Sequence, residues 1–314
     1  MRGRGQGGCQ PGRVAVTDVV RPSNAVAAAL AASRPVVALE TSVLAQGLPR
    51  PRNLEVAMAM SLTVRRSGAE PGWIWIEDGA IAIGGDERDL RTLCESDGVA
   101  KVARRDLPMA LARKGLGATT VSATLWSARR AGIEVMATGG IGGVHLGSAD
   151  VSADLLEMAR VPGTVVCSGP KSIVDPAATL EKLEELGIGV LGYGCDLLPF
   201  FVVRETQLPL EHRADSPQEV AAAVRVRQAL GVESGLLVCN PIPGDQALDP
   251  TDVAAAVESC LRRARDRRVV GKAVTPFLLS CMAESTGGRS LEANVALLVD
   301  NARLAGEVSA AMAG

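Results

Sequence analysis

Three side chains sit where the sequence could aim them at one substrate, and each comes with a backbone signal. Glu40 closes the apolar run Val36–Glu40 and is followed by Thr41-Ser42 and the turn-rich segment QGLPRPRN. A carboxylate at a strand's carboxyl end sits where α/β folds place their sites, and moving a proton is its natural work. Lys171 follows Gly169-Pro170 after a second apolar run, Thr164–Cys167. A lysine emerging from apolar surroundings gives up its proton more readily and attacks carbonyls, whereas a solvated lysine in a strand–helix turn does neither. Lys101 opens the basic run KVARRDLP, which reads as a phosphate ligand or as a solvated face. Soon after it, the small residues of GLGATTVSATLW lead into a helix starting near Thr119 or Thr120. The free N–H groups there suit a phosphate, although an ordinary cap would look the same.

The stretch TGGIGGVHLGSADVSAD is the most unusual. Its glycines, four of the five residues from Gly139 to Gly143, imply close backbone approach to a ligand or extreme turn geometry. His145, Asp150 and Asp154 follow within about a loop's length. Two carboxylates with one imidazole resemble a site for a hard cation such as Mg²⁺ or Mn²⁺ more than for Zn²⁺, the alternative being that they lead the next helix. Three nucleotide and hydrolase signatures fail. No register of GGIGGVH gives GxGxxG, Pro170 replaces the glycine a phosphate loop needs before its lysine, and there is no GxSxG.

These residues need a scaffold, and the hydrophobic pattern supplies one. Short apolar runs at Val36–Glu40, Trp73–Glu77, Ala80–Ile83, Glu134–Thr138, Thr164–Cys167, Gly189–Tyr193, Phe200–Val203 and Leu236–Cys239 read as strands covered on both faces. Helical patterns lie between them, over Asn53–Ser67, Thr120–Ala131, Ser152–Arg160, Pro176–Leu186, Ser216–Leu230, Asp249–Asp266 and Leu291–Ala311. Asp215 and Ser216 before Glu219, and Asp249 ahead of an alanine-rich run, look like N-terminal caps. The alternation predicts an α/β layered domain. Residues 1–20 read as a flexible tail and 21–314 as one domain.

Composition narrows the function. With 314 residues, 47% hydrophobic, the chain buries a core without staples. A net charge of −2 and 2% aromatic residues argue against a nucleic-acid partner. No apolar window is long enough for a membrane span, and the start lacks the apolar region of a secretory signal. Seven cysteines without a CxxC pair fit reduced thiols in a cytoplasm.

Taken together, ALETS, GLPRPRN, RRDLP, GATTVSAT, TGGIGGVH, SADL, CSGPKSI, GYGCD, NPIP, VTPFLL and TGGRSLEAN resemble the pseudouridine-5'-phosphate glycosidase family, which includes the indigoidine synthase A-like proteins. The resemblance runs from about Arg34 to the C-terminus. It implies a single three-layer α/β/α domain, usually a homotrimer, that makes or breaks the C–C bond between C1 of ribose 5-phosphate and C5 of uracil. It also implies Lys171 as nucleophile, Glu40 as proton donor and Asp150 as the ligand of Mn²⁺. Lys101, the Val121 backbone, Ser152, Ala153 and Asp154 would bind substrate, and Asn294 falls at a family active-site position. No nicotinamide, flavin or pyridoxal cofactor is implied. Three departures stand out. Gln46 replaces a usual histidine, Leu146 replaces an arginine, and the His145–Asp150 loop is about three residues short. They leave the sugar chemistry intact and point to a changed aglycone, with C-ribosylation of an aromatic polyketide (alnumycin-type) as the alternative reaction. A silent sugar-phosphate-binding protein would lack the lysine or the glutamate, and both are present.

Overall fold

The computed structural model describes residues 19–146 and 150–314. In chain order the first half contains β1 (Val20–Pro22), α1 (Asn24–Ala31), β2 (Val36–Glu40), α2 (Arg52–Arg66), β3 (Glu70–Glu77), β4 (Ala80–Gly84), α3 (Glu87–Glu95), β5 (Ala100–Val102), α4 (Leu107–Arg113), β6 (Gly117–Thr119) and α5 (Val121–Arg130). The middle follows with β7 (Val135–Ala137), β8 (Val144–His145), α6 (Ala153–Met158), β9 (Thr164–Cys167), β10 (Val174–Asp175), α7 (Pro176–Glu185), β11 (Gly189–Tyr193) and β12 (Arg213–Ala214). The chain then closes with α8 (Pro217–Leu230), β13 (Leu236–Cys239), α9 (Pro250–Asp266), α10 (Val274–Ser285) and α11 (Arg289–Ala313). Single π and 3-10 turns connect several of them.

The main sheet runs in the order β1-β4-β3-β2-β7-β9-β13-β11-β12, with β5 and β6 added beside β3. Pairing from β2 through β12 is parallel, and β3 meets β4 and β6 antiparallel. Alternation along each strand divides the core. Val37, Leu39, Trp73, Trp75, Val166 and Val238 pack on one face, under α2, α8, α9, α10 and α11. Ala38, Ile74, Ile76, Val165, Leu237 and Cys239 pack on the other, under α1, α5, α6 and α7. A strand whose successive side chains enter two different cores must be apolar throughout, which is why these runs are continuous rather than alternating. The fold is therefore the three-layer α/β/α domain expected.

Several sequence expectations need correction. The apolar run Phe200–Val203 forms no strand. It is a tight turn closed by Phe200 and Val203, with Phe201 at φ +57°, in which Phe201, Val202 and Val203 are buried and Phe200 is half-buried. The expected tail of residues 1–20 lies largely outside the described residues, but Val20 already pairs with Ile81 in the sheet. Cys260 and Cys281 are joined in a disulfide between α9 and α10, against the expectation of reduced thiols. The two helices pack side by side, a proximity that a 21-residue separation does not announce. The remaining described cysteines, Cys94, Cys167, Cys195 and Cys239, are buried thiols.

Candidate active site

Parallel strands β2, β7 and β9 end together, and their carboxyl ends deliver the site, as open α/β sheets do. Glu40 ends β2 with only 4% of its surface exposed. Its two oxygens are held by Thr138 Oγ1 at 2.5 Å, just beyond β7, and by Ser42 Oγ at 3.0 Å. The next residue, Thr41, accepts from Thr119 N and donates to the Ile74 carbonyl, which ties the end of β2 to β3 and β6. Lys171 stands beyond β9, its backbone N–H bonded to the Ile141 carbonyl. Lys101 lies in β5. Burial lowers its ammonium pKa first and the Lys171 charge lowers it further, while Glu40 and Asp154 pull it back up. Lys272 Nζ donates to the Lys101 carbonyl and pairs with Asp106 at 2.7 Å.

The glycine-rich loop is explained by the protein's own side chains. None of its four glycines has a positive φ. A Cβ at Gly140 would lie 2.8 Å from the Phe201 ring and 3.3 Å from the Lys171 side chain, and one at Gly142 would collide with Ser152. The loop passes so closely that Lys171 and the Ser152 turn can both pack against it.

Asp154 joins this loop to α5. One carboxylate oxygen accepts from Ser122 N at 3.1 Å, the other from Gly142 N at 3.0 Å, and only 6% of the residue is exposed. Ser152 caps α6 by accepting from Asp154 N. At the start of α5 the N-cap residue Thr120 makes no capping bond with its own side chain, Asp154 takes Ser122 N instead, and Val121 lines the cleft.

The cleft has three connected parts. A polar cavity of about 190 Å³ is lined by Lys101, Val121, Ser152, Asp154 and Lys171, with Glu40, Ala153, Asp150, His145 and Arg105 also on its walls. A narrow waist follows, where Glu40, Lys101, Lys171, Gly140, Gln46 and Asn294 meet. Beyond it opens a chamber of about 340 Å³ with largely apolar walls, including Leu48, Phe201, Pro276, Leu279 and Met282. Every candidate site residue named from the sequence thus lines one cleft. Leu146 does not; it is 37% exposed in the turn after β8 and lines no part of it. Residues 147–149, which carry the shortening of the His145–Asp150 loop, lie outside the described residues.

Sequence reasoning missed Thr138, Phe201 and Lys272. Thr138 opens the TGGIGG motif, so a signal was there to be used. Phe201 was hidden by its reading as a strand residue.

A divalent cation would find limited protein ligation here. Among the described residues, no three His, Cys, Asp or Glu side chains gather round one point. Both oxygens of Asp154 are engaged by backbone N–H groups. Asp150, on the polar wall with the lysines, fits a hard cation that keeps several waters and completes its shell with substrate phosphate.

Fold and cleft describe an α/β protein built round two lysines and a buried carboxylate at the carboxyl ends of its central strands. The family model for indigoidine synthase A-like proteins matches residues 25–311, and the chain belongs to that family. It is 46% identical over 292 residues to a pseudouridine-5'-phosphate glycosidase of Methylobacterium nodulans, covering 92% of this chain and 87% of that one. The Roseobacter denitrificans protein of the same name is 47% identical over 296 residues, covering 93% and 96%. Among solved structures, the prealnumycin C-glycosynthase AlnA in complex with ribulose 5-phosphate superposes with a TM-score of 0.86 at 38% identity, covering 94% and 97% of the two chains. An indigoidine synthase A-like protein of Thermotoga maritima superposes with a TM-score of 0.87 at 36% identity, over the same shares.

Proposed function

We propose that this enzyme reversibly cleaves pseudouridine 5'-phosphate to uracil and ribose 5-phosphate. The observation that carries the reading is the waist of the cleft, where Lys171, Lys101 and buried Glu40 meet between a polar cavity and a largely apolar chamber. A C-glycoside has no lone pair on its leaving atom, so protonating a leaving oxygen, as O-glycosidases do, achieves nothing at that bond. In the cleavage direction the Lys171 amine adds to C1 as the bond from C1 to the ring oxygen breaks, and Glu40 protonates that oxygen. The new ammonium returns a proton to Glu40. The nitrogen lone pair then forms a C1=N bond while the C1–C5 pair leaves with the base, and Glu40 protonates C5. Water hydrolyses the imine, which frees Lys171 and ribose 5-phosphate.

Lys101 and the N-terminus of α5 at Val121 hold the phosphate in this account, with the Ser152-Ala153-Asp154 turn completing the cavity wall. Asp150 would hold Mn²⁺ together with waters and a phosphate oxygen; bound there, the ion neutralises substrate charge. The reading includes a homotrimer, supported by exposed Val151 and Leu156 in a groove that Trp126 also lines. It also places the enzyme in the cytoplasm, since a sugar phosphate does not cross a bilayer unaided. No described helix is long and apolar enough to cross a membrane.

The direct test is release of uracil from pseudouridine 5'-phosphate, followed by absorbance. Turnover in the wild type and its loss in Lys171→Ala support the reading; no turnover with Mn²⁺ supplied rejects it. A second reading, C-ribosylation of an aromatic polyketide, is favoured by the size and apolar lining of the outer chamber and by the likeness to AlnA. Efficient use of uracil with no use of a phenolic polycycle would remove it.

A further inference from the structure

Two buried amide oxygens in the cleft have no hydrogen-bond partner among the described residues, Gln46 Oε1 and Asn294 Oδ1. Both residues line the waist beside Lys171 and Glu40, and both continue into the outer chamber. The orientation of the Gln46 amide is fixed. Gln46 Nε2 donates to the Val99 carbonyl at 3.0 Å, and because a carbonyl only accepts, the amide must present its NH₂ there and its oxygen elsewhere. Asn294 lies in the second turn of α11, 6% exposed, with its oxygen 3.2 Å from where a Gly139 Cβ would stand. The chamber walls around them are mostly apolar, with Leu48, Phe201, Pro276 and Leu279. Ser172, Ser280 and Ser290 in the chamber and Lys101, Lys171 and Thr275 at the waist carry donors, but none of these bonds to either oxygen. A buried acceptor without a donor destabilises the folded chain, so two of them in one cleft mark a ligand that brings donors.

We propose that Gln46 Oε1 and Asn294 Oδ1 accept from two ring N–H groups of the aglycone, and that Gln46 is a specificity-determining residue of this enzyme. The inference rests on the proposed C-glycoside reaction and deepens it. A uracil ring joined through carbon keeps both of its N–H donors, whereas one joined through nitrogen has lost one. A pair of acceptors therefore separates C-linked from N-linked nucleotides by leaving one acceptor unpaired with the wrong isomer.

The test uses the synthetic direction with ribose 5-phosphate and Mn²⁺, offering uracil, 1-methyluracil and 3-methyluracil. Wild-type enzyme is expected to reject both methylated bases by about a hundredfold in kcat/KM. Gln46→Met, which keeps length and apolar bulk, should raise KM for uracil by about tenfold with kcat little changed. It should also narrow the rejection of one methylated base, and Asn294→Leu the rejection of the other. Borohydride trapping of ribose 5-phosphate on Lys171 should persist in Gln46→Met, showing that the sugar site is intact. Equal use of the three bases by the wild type overturns the proposal without any variant, as does unchanged selectivity in Gln46→Met. Failure of the wild type to trap the sugar or to use uracil would instead overturn the reaction on which it rests.

Discussion

Thr138 donates its hydroxyl hydrogen to Glu40 Oε1 across 2.5 Å, linking the ends of two neighbouring parallel strands through a buried carboxylate. With Ser42 on the other oxygen, Glu40 is oriented from both sides before any substrate arrives. Thr138→Val removes one of the hydrogen bonds that orient this buried carboxyl group, a loss of about 1–3 kcal/mol. We expect kcat to fall by at least about tenfold with KM for the sugar phosphate little changed, and Thr138→Ser to recover most of the rate. Equal rates in the valine and serine variants would show that this hydrogen bond does not position Glu40.

In the proposed site Lys101 would bind phosphate as an ammonium, and burial together with Lys171 holds its pKa below the ordinary lysine range. Raising pH therefore removes its charge earlier than for a solvated lysine. Affinity for ribose 5-phosphate should be full at lower pH and weaken on the alkaline side before pH 10.5, the ordinary value. Titration calorimetry across that range checks the sign. Lys101→Met should bind weakly at every pH and lack this alkaline loss; the same alkaline loss in the methionine variant would assign the titration to another group.

Asp154 satisfies two backbone donors from different loops, Ser122 N and Gly142 N. Asp154→Ala leaves both without their acceptor, at about 1–3 kcal/mol each. The expected outcome is a clear fall in denaturant midpoint accompanied by weaker ribose 5-phosphate binding. Unchanged stability would mean that the carboxylate serves the substrate rather than the loops.

The proposed Mn²⁺ at Asp150, on the polar wall of the cleft, makes the enzyme's metal dependence a test of that reading. Chelation should abolish turnover and added Mn²⁺ restore it, with Asp150→Ala needing far more Mn²⁺ for half-activity. Full activity after metal stripping would reject the assignment.

Much of this site was legible because its chemistry lies at strand ends, where a continuous apolar run stops and a polar residue begins. Glu40 and Lys171 both carry that mark, and Val121 follows from the helix start after GLGATT. The doubly buried sheet was legible for the same reason. What stayed hidden depends on packing between distant segments. Phe200–Val203 has a strand's composition but folds as a turn over the site, and Cys260 meets Cys281 only because α9 and α10 lie together. The glycines of TGGIGG make room for Lys171, Phe201 and Ser152, and Gly139, Gly140 and Gly142 also line the cleft. Leu146 drew attention as a departure, yet it lies outside the cleft, whereas Gln46 lies on its wall.

Lys171 as an imine-forming nucleophile is the centre of the account, and one measurement addresses it. The enzyme is incubated with ribose 5-phosphate, reduced with borohydride, digested and examined by peptide mass spectrometry. The account predicts a stable sugar-phosphate adduct on Lys171, absent without reduction and absent in Lys171→Ala. An adduct on Lys101 instead, or none under conditions where the enzyme turns over, would contradict it.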